Sequence, residues 1–82
     1  MDIANALIKD HARQQMARRQ IGDADVDAVL KQPDEVLPVR PGRIVAQAMV
    51  GGYMLRVFVD VDRDPPEVVT AYRTSKLDKY RS

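Results

Sequence analysis

One histidine, several arginines and three tyrosines are the side chains of this 82-residue chain best suited to catalysis or anion binding. The chain has no cysteine, so thiol chemistry is excluded. Histidine is the side chain best suited to move protons at neutral pH, so His11 could act as a general acid or base. On a helix, His11 would share a face with Gln14, Gln15 and Arg18. The alternative is a surface or packed histidine, which is the more common case for a lone one. Without cysteine or a second histidine, we expect no disulfide, metal site or cofactor.

The arginines are the second group with chemical potential. Arg56 stands in the middle of an apolar segment, a costly place for a charge unless something uses it. Its guanidinium could clamp a phosphate, whereas a salt bridge to an acid such as Asp60 is the alternative. Arg40 and Arg43 flank the Pro41-Gly42 turn, where they could grip a nucleic-acid backbone or be solvated.

A third cluster lies at the end of the last predicted strand. Tyr72 and Arg73 stand where this strand would run into a short terminal helix, and strand ends that open onto loops often carry sites. Free backbone N–H groups at the helix start, beside Lys76, could bind an anion. The alternatives are simple capping by Thr74 or Ser75, a core position for Tyr72 and solvation of the two cations.

The charges fall into blocks although the net charge is only +1. Basic residues dominate segments 9–19, 40–56 and 73–82, and acidic residues dominate 23–35 and 60–67. If the basic blocks meet in space, they form a positive face suited to a polyanion. Surface salt bridges between the blocks are an equally simple explanation.

Two helices are predicted to precede the strands. The first begins after Asp10 as N-cap and ends at Gln20 or Ile21. The second is capped by Asp23 and stops before Pro33, because proline pushes the preceding residue out of the helical region. Residues 3–8 could extend the first helix or form a short strand, and the pattern does not decide between them.

The strongest local signal is a β-hairpin at Gly51-Gly52. A two-residue loop fixes the pairing of the flanking strands, and alternation then separates two faces. One face is apolar and should pack on the helices; it carries Ile44, Ala46, Ala48, Val50, Tyr53, Leu55, Val57 and Val59. The other face is mixed; it carries Arg43, Val45, Gln47, Met49, Met54, Arg56, Phe58 and Asp60.

The remaining elements complete an α+β fold in one domain, residues 1–82. Segment 35–39 contains Pro38 and is predicted to be an edge strand or a loop. Segment 67–73 is rich in strand formers, and a short helix is expected to follow Thr74 or Ser75. We therefore predict N-terminal helices packed on one face of a three- to four-stranded antiparallel β-meander, with a short C-terminal helix.

Two stretches, an opening in two parts and a close, together resemble a family of short bacterial domains. HARQQMARRQI, the following DxDxxxVLKQPDEV pattern and the closing VVTAYRTSKLDKY are similar to RelE- and BrnT-like toxins of type II toxin–antitoxin systems, over the range from His11 to Tyr80. The resemblance implies a metal-free endoribonuclease that cleaves mRNA, often on the ribosome, by attack of the ribose 2′-hydroxyl on the adjacent phosphate. It also implies a cognate antitoxin that covers the active surface. By motif match, His11, Tyr72 and Arg73 are carried over as catalytic residues.

The predicted site combines these positions with the arginines and Gln47 of the mixed hairpin face and with the other basic residues. The expected catalytic residues are His11, Arg56, Tyr72 and Arg73. The expected RNA-binding residues are Arg18, Arg19, Arg40, Arg43, Gln47, Lys76 and Lys79. A non-catalytic protein- or RNA-binding module of the same fold is the alternative function, and a small-molecule enzyme is the weakest, because few polar groups converge. No apolar run approaches the roughly 20 residues of a membrane span, so a cytoplasmic protein is expected.

Overall fold

Two short helices and five strands make up residues 3–75, the part of the chain that the computed structural model describes. In chain order these elements are β1 (Leu7–Ile8), α1 (Asp10–Arg18), α2 (Asp23–Lys31), β2 (Glu35–Arg40), β3 (Arg43–Val50), β4 (Tyr53–Asp60) and β5 (Glu67–Thr74). The two helices follow β1 and precede the four longer strands.

The strands form one mixed sheet in the order β1-β5-β4-β3-β2. Strands β2 to β5 are antiparallel neighbours, and β1 pairs with β5 in parallel. The predicted three- to four-stranded antiparallel meander is therefore wrong. Strand β1 is two residues long, too short to show a period in the sequence, and its pairing of Leu7 with Glu67 is set by tertiary contacts. The predicted cap Thr74 ends β5, and the helix expected beyond it lies outside the described residues.

The Gly51-Gly52 hairpin has the predicted register. Val50 pairs with Tyr53, and Gln47 pairs with Arg56 further along the strands. Gly51 and Gly52 have φ of 59° and 86°, the left-handed region that both central residues of a type I′ turn occupy. The twist of this turn matches the twist of the strands, so the glycines fix which residues share a face.

Both helices begin slightly differently from the prediction, whereas α2 ends before Pro33 as predicted. Lys9 and Gly22 are the N-caps, while Asp10 and Asp23 are first-turn residues. The Asp23 carboxylate forms an ion pair with Arg13 and makes no cap hydrogen bond. Helix α1 ends at Arg18, before the predicted end. The first-turn carboxylates still favour the two helices, because the N-terminal end of a helix carries a partial positive charge.

The hydrophobic core lies between the two helices and one face of the sheet, called here the helix face. Its buried helical residues are Ala12, Met16, Val26, Val29 and Leu30. Its buried strand residues are Ala46, Ala48, Leu55, Val57, Val59, Val68 and Ala71. The hairpin face predicted to pack on the helices does so, except that Tyr53 at its end is 48% exposed. The opposite side of the sheet is called the polar face.

Candidate functional site

Four side chains form a row across the polar face, one from each of strands β2 to β5. Glu35 pairs with Gln47, Gln47 with Arg56, and Arg56 with Tyr72. The row runs perpendicular to the strands, because directly paired residues of neighbouring strands point to the same face. Glu35, Gln47, Arg56 and Tyr72 are called here the polar row.

Hydrogen bonds connect the polar row from end to end. The side-chain Nε2 of Gln47 donates to Glu35 Oε1 at 3.1 Å. The Nε of Arg56 donates to Gln47 Oε1 at 2.9 Å, and its Nη1 donates to the Tyr72 hydroxyl at 2.6 Å. The guanidinium is thus held at two of its edges, and Gln47 serves as donor on one side and acceptor on the other.

Two aromatic rings lie against the same guanidinium. Phe58 and Tyr72 are stacked, with ring centroids 5.9 Å apart and planes inclined by 18°. The Arg56 Cζ lies 5.4 Å from the Phe58 centroid and 5.7 Å from the Tyr72 centroid. A cation at this distance is attracted by the electron-rich ring face. The Arg56 side chain is therefore fixed by its edges and by its plane, which suits a group that must be aimed at a ligand.

Burial increases from the ends of the polar row toward Gln47. The Gln47 side chain is 0% exposed, whereas Glu35, Arg56 and Tyr72 are half-buried. Within residues 3–75, no buried side-chain nitrogen or oxygen lacks a hydrogen-bond partner. A buried polar group without a partner is costly, so Gln47 can be fully buried only because its side chain is hydrogen-bonded within the row.

A second ion pair lies beside the row, between Arg43 and Asp60. The Nε of Arg43 donates to Asp60 Oδ1 at 2.7 Å, and its Nη2 donates to Oδ2 at 3.3 Å. This hydrogen bond from Arg43 lowers the pKa of Asp60 below its ordinary value. In the described residues, Asp60 pairs with Arg43 and Arg63. The alternative considered for Arg56, a salt bridge to Asp60, is not what these contacts show.

The other two predicted catalytic residues are not members of the polar row. His11 is an exposed residue of α1, and its Nε2 is 3.2 Å from Gln15 Nε2. Arg73 pairs with Leu55 on the helix face and donates from Nη2 to the backbone oxygens of Arg19 and Gln20. The structure therefore brings Arg56 and Tyr72 together, and it places His11 and Arg73 elsewhere.

The predicted RNA-binding residues are also spread over both sides. Arg18 is exposed on α1, and Arg19 donates from Nη1 to Thr70 Oγ1 and the Ala71 backbone oxygen, both at 2.9 Å. Arg40 is exposed at the end of β2, opposite Arg43. Gln47 is buried in the polar row. Lys76 and Lys79 lie outside the described residues. The basic side chains of residues 3–75 therefore do not lie together on one face, as the prediction of a single positive face would require.

Sequence reasoning missed Glu35 and Phe58 as members of this site. Glu35 is the first residue of β2. Because this segment contains a proline, the sequence did not show whether it was a strand or a loop, and no pairing partner could be assigned to Glu35. Phe58 was placed on the correct face by the hairpin register, but its stacking on Tyr72 depends on how β5 pairs with β4. That pairing shifts between Phe58 and Val59, and turn length alone does not reveal such a shift.

One family model matches the chain, over residues 8–73, and its description is a domain of unknown function, DUF4258. The match spans most of the 82 residues and includes the whole polar row, so the chain belongs to the DUF4258 family. No curated protein and no solved structure matches the chain. Neither helix of residues 3–75 is long and apolar enough to cross a membrane.

Proposed function

We propose that this protein is the toxin of a type II toxin–antitoxin system, a metal-free endoribonuclease that cleaves mRNA. The observation that carries the proposal is the Arg56 guanidinium, which lies against the Tyr72 hydroxyl at 2.6 Å on the polar face. The resemblance of the sequence to RelE- and BrnT-like toxins supports the same class. RNA, free or on the ribosome, and a cognate antitoxin are the proposed partners, and the cytoplasm is the proposed location.

In the proposed reaction, the ribose 2′-hydroxyl attacks the adjacent phosphorus and its proton passes to solvent. The bond from phosphorus to the 5′-oxygen then breaks, leaving a 2′,3′-cyclic phosphate and a 5′-hydroxyl. The guanidinium of Arg56 stabilises the charge that develops on the phosphoryl oxygens.

The Tyr72 hydroxyl supplies the proton that the leaving 5′-oxygen takes. A phenolic oxygen both accepts and donates, so acceptance of the bond from Arg56 leaves the hydroxyl proton to point elsewhere. General acid catalysis of this kind requires only that the donor lie within hydrogen-bond reach of the leaving group. His11 has no part in this scheme, since it lies on a helix at the other side of the sheet.

The test is induction of the protein in bacteria without its genomic neighbour, followed by growth curves, mRNA integrity and cleavage of RNA by the purified protein. We expect growth arrest and cleaved mRNA. Arg56→Ala and Tyr72→Phe should each lower cleavage by about 100-fold. Arg63→Ala and Tyr53→Phe are matched controls, since both side chains are exposed and lie outside the polar row. Intact message and normal growth would contradict the toxin, and a fully active Arg56→Ala would contradict this site.

A second function, a non-catalytic protein- or RNA-binding module, is favoured by the position of His11 away from Arg56 and Tyr72. Binding through phosphate contacts weakens steeply as salt concentration rises, whereas a protein partner held by packing gives a weaker dependence. RNA affinity measured at several salt concentrations distinguishes an RNA module from a protein module. Either result without cleavage would favour this second function over the toxin.

A further inference from the structure

We propose that Glu35 is a positioning residue for Arg56 and acts on it through the buried side-chain amide of Gln47. The inference rests on the proposed role of Arg56 in RNA cleavage. Glu35 lies two strands away from Arg56, on the edge strand β2, and the Gln47 side chain connects them. What Glu35 controls is the orientation of this one amide group.

A glutamine side chain has an acceptor end and a donor end. The Nε of Arg56 is a donor, so it can bond only to the oxygen end of Gln47. If the amide rotated by half a turn, its NH2 group would face the Arg56 N–H, and two donors would oppose each other. The orientation of Gln47 thus decides whether Arg56 keeps this bond.

The carboxylate of Glu35 selects the required orientation. An ionised carboxylate accepts hydrogen bonds and donates none, so it holds the Nε2 end of Gln47 toward β2 at 3.1 Å. The oxygen end then points toward Arg56 at 2.9 Å. Because Gln47 is 0% exposed, bulk water cannot replace Glu35 as its acceptor without local opening of the sheet.

The orientation of Arg56 matters for the reaction because the guanidinium must meet both the phosphate and Tyr72. If Gln47 turned, Arg56 would lose the bond at Nε while its charge stayed on the polar face. Binding of RNA, to which the charge alone contributes, should then change less than the rate of the bound complex. A displacement of a catalytic group by about 1 Å can cost up to about 100-fold in rate. We therefore expect kcat to fall more than KM rises.

The experiment compares Glu35→Leu with a double variant that exchanges the two side chains, Glu35→Gln with Gln47→Glu. Leucine removes the carboxylate that accepts from Gln47 Nε2. In the double variant, the amide placed on β2 donates to the carboxylate placed on β3, and that carboxylate accepts from Arg56 whichever way it rotates. Val36→Ala is the matched control, because Val36 is the next residue of β2 and is 48% exposed.

The first readout is the exchange of the Arg56 Nε proton with water, followed by nitrogen-15 NMR and assigned by the loss of its signal in Arg56→Lys. We expect exchange about tenfold faster in Glu35→Leu and restored protection in the double variant. Val36→Ala should match the wild type. Spectral dispersion shows whether each variant is folded, and the double variant keeps the test open if Glu35→Leu does not fold.

The second readout is kcat and KM for RNA cleavage, where kcat should fall in Glu35→Leu and recover in the double variant together with the exchange protection. Unchanged exchange in Glu35→Leu, or a folded double variant with an unprotected Arg56, would overturn the positioning role. Absence of cleavage by the wild-type protein would instead contradict the proposed function, and the exchange rates would still decide the role of Glu35.

Discussion

The two faces of the central sheet are built from the same strands and differ in what holds them. Leu55 on β4 lies in the core between sheet and helices, whereas Arg56, the next residue, points to the polar face. The helix face is held by apolar burial, which is nondirectional. The polar face also buries Val45 and Met54, and it carries in addition a row of hydrogen bonds that require particular partners in particular orientations.

The division of labour between the two faces lets an 82-residue chain combine a stable core with a site. Alternation along a strand assigns successive residues to opposite faces, so the core does not compete with the site for positions. The rigid sheet also sets the spacing of the polar row, because neighbouring strands lie about 4.8 Å apart. The two faces should therefore respond differently to substitution.

Leu55→Ala should give the largest loss of stability, because it leaves a cavity where the side chain is 3% exposed. We expect the free energy of unfolding to fall by about 2–5 kcal/mol, measured by denaturant titration. RNA cleavage per folded molecule should remain that of the wild type. If Leu55→Ala lowered cleavage as much as Arg56→Ala, the separation of the two faces would be wrong.

Arg73→Ala should have an intermediate effect and tests the assignment of this arginine to the helix side. Its hydrogen bonds to the Arg19 and Gln20 backbone oxygens satisfy the end of α1. Their loss should lower the free energy of unfolding by about 1 kcal/mol. Cleavage by the folded protein should persist. Lost cleavage at unchanged stability would return Arg73 to the catalytic residues.

Asp60→Asn should have the smallest effect of the three: a modest loss of stability at neutral pH that disappears in acid, where the wild type loses the same contribution. The hydrogen bond from Arg43 lowers the Asp60 pKa in the folded protein below its ordinary value of 3.8. The ionised carboxylate therefore contributes stability above that value, and the contribution is lost as pH falls through the folded pKa. Unfolding measured from about pH 6 to about pH 2 should show a smaller acid-induced loss in Asp60→Asn. Identical pH profiles would contradict this linkage.

The hairpin shows what could be predicted here. Its two-residue loop and the period of two along a strand placed Gln47 beside Arg56 and Arg43 beside Asp60, and both pairs are confirmed. The same period excludes part of the predicted catalytic set. Tyr72 and Arg73 are adjacent in one strand, so they point to opposite faces and could not both join Arg56.

Local sequence patterns were sufficient to predict three features: the hairpin register, the end of the second helix before Pro33, and the division of β3 and β4 into an apolar and a mixed face. These follow from turn geometry and short-range sterics. Three other features came from long-range packing: β1 joins the sheet in parallel, Glu35 extends the polar row, and His11 is not part of that row. Those outcomes depend on pairings between residues far apart in the chain, and a shifted β4–β5 ladder and a two-residue strand leave no periodic signal that would reveal them.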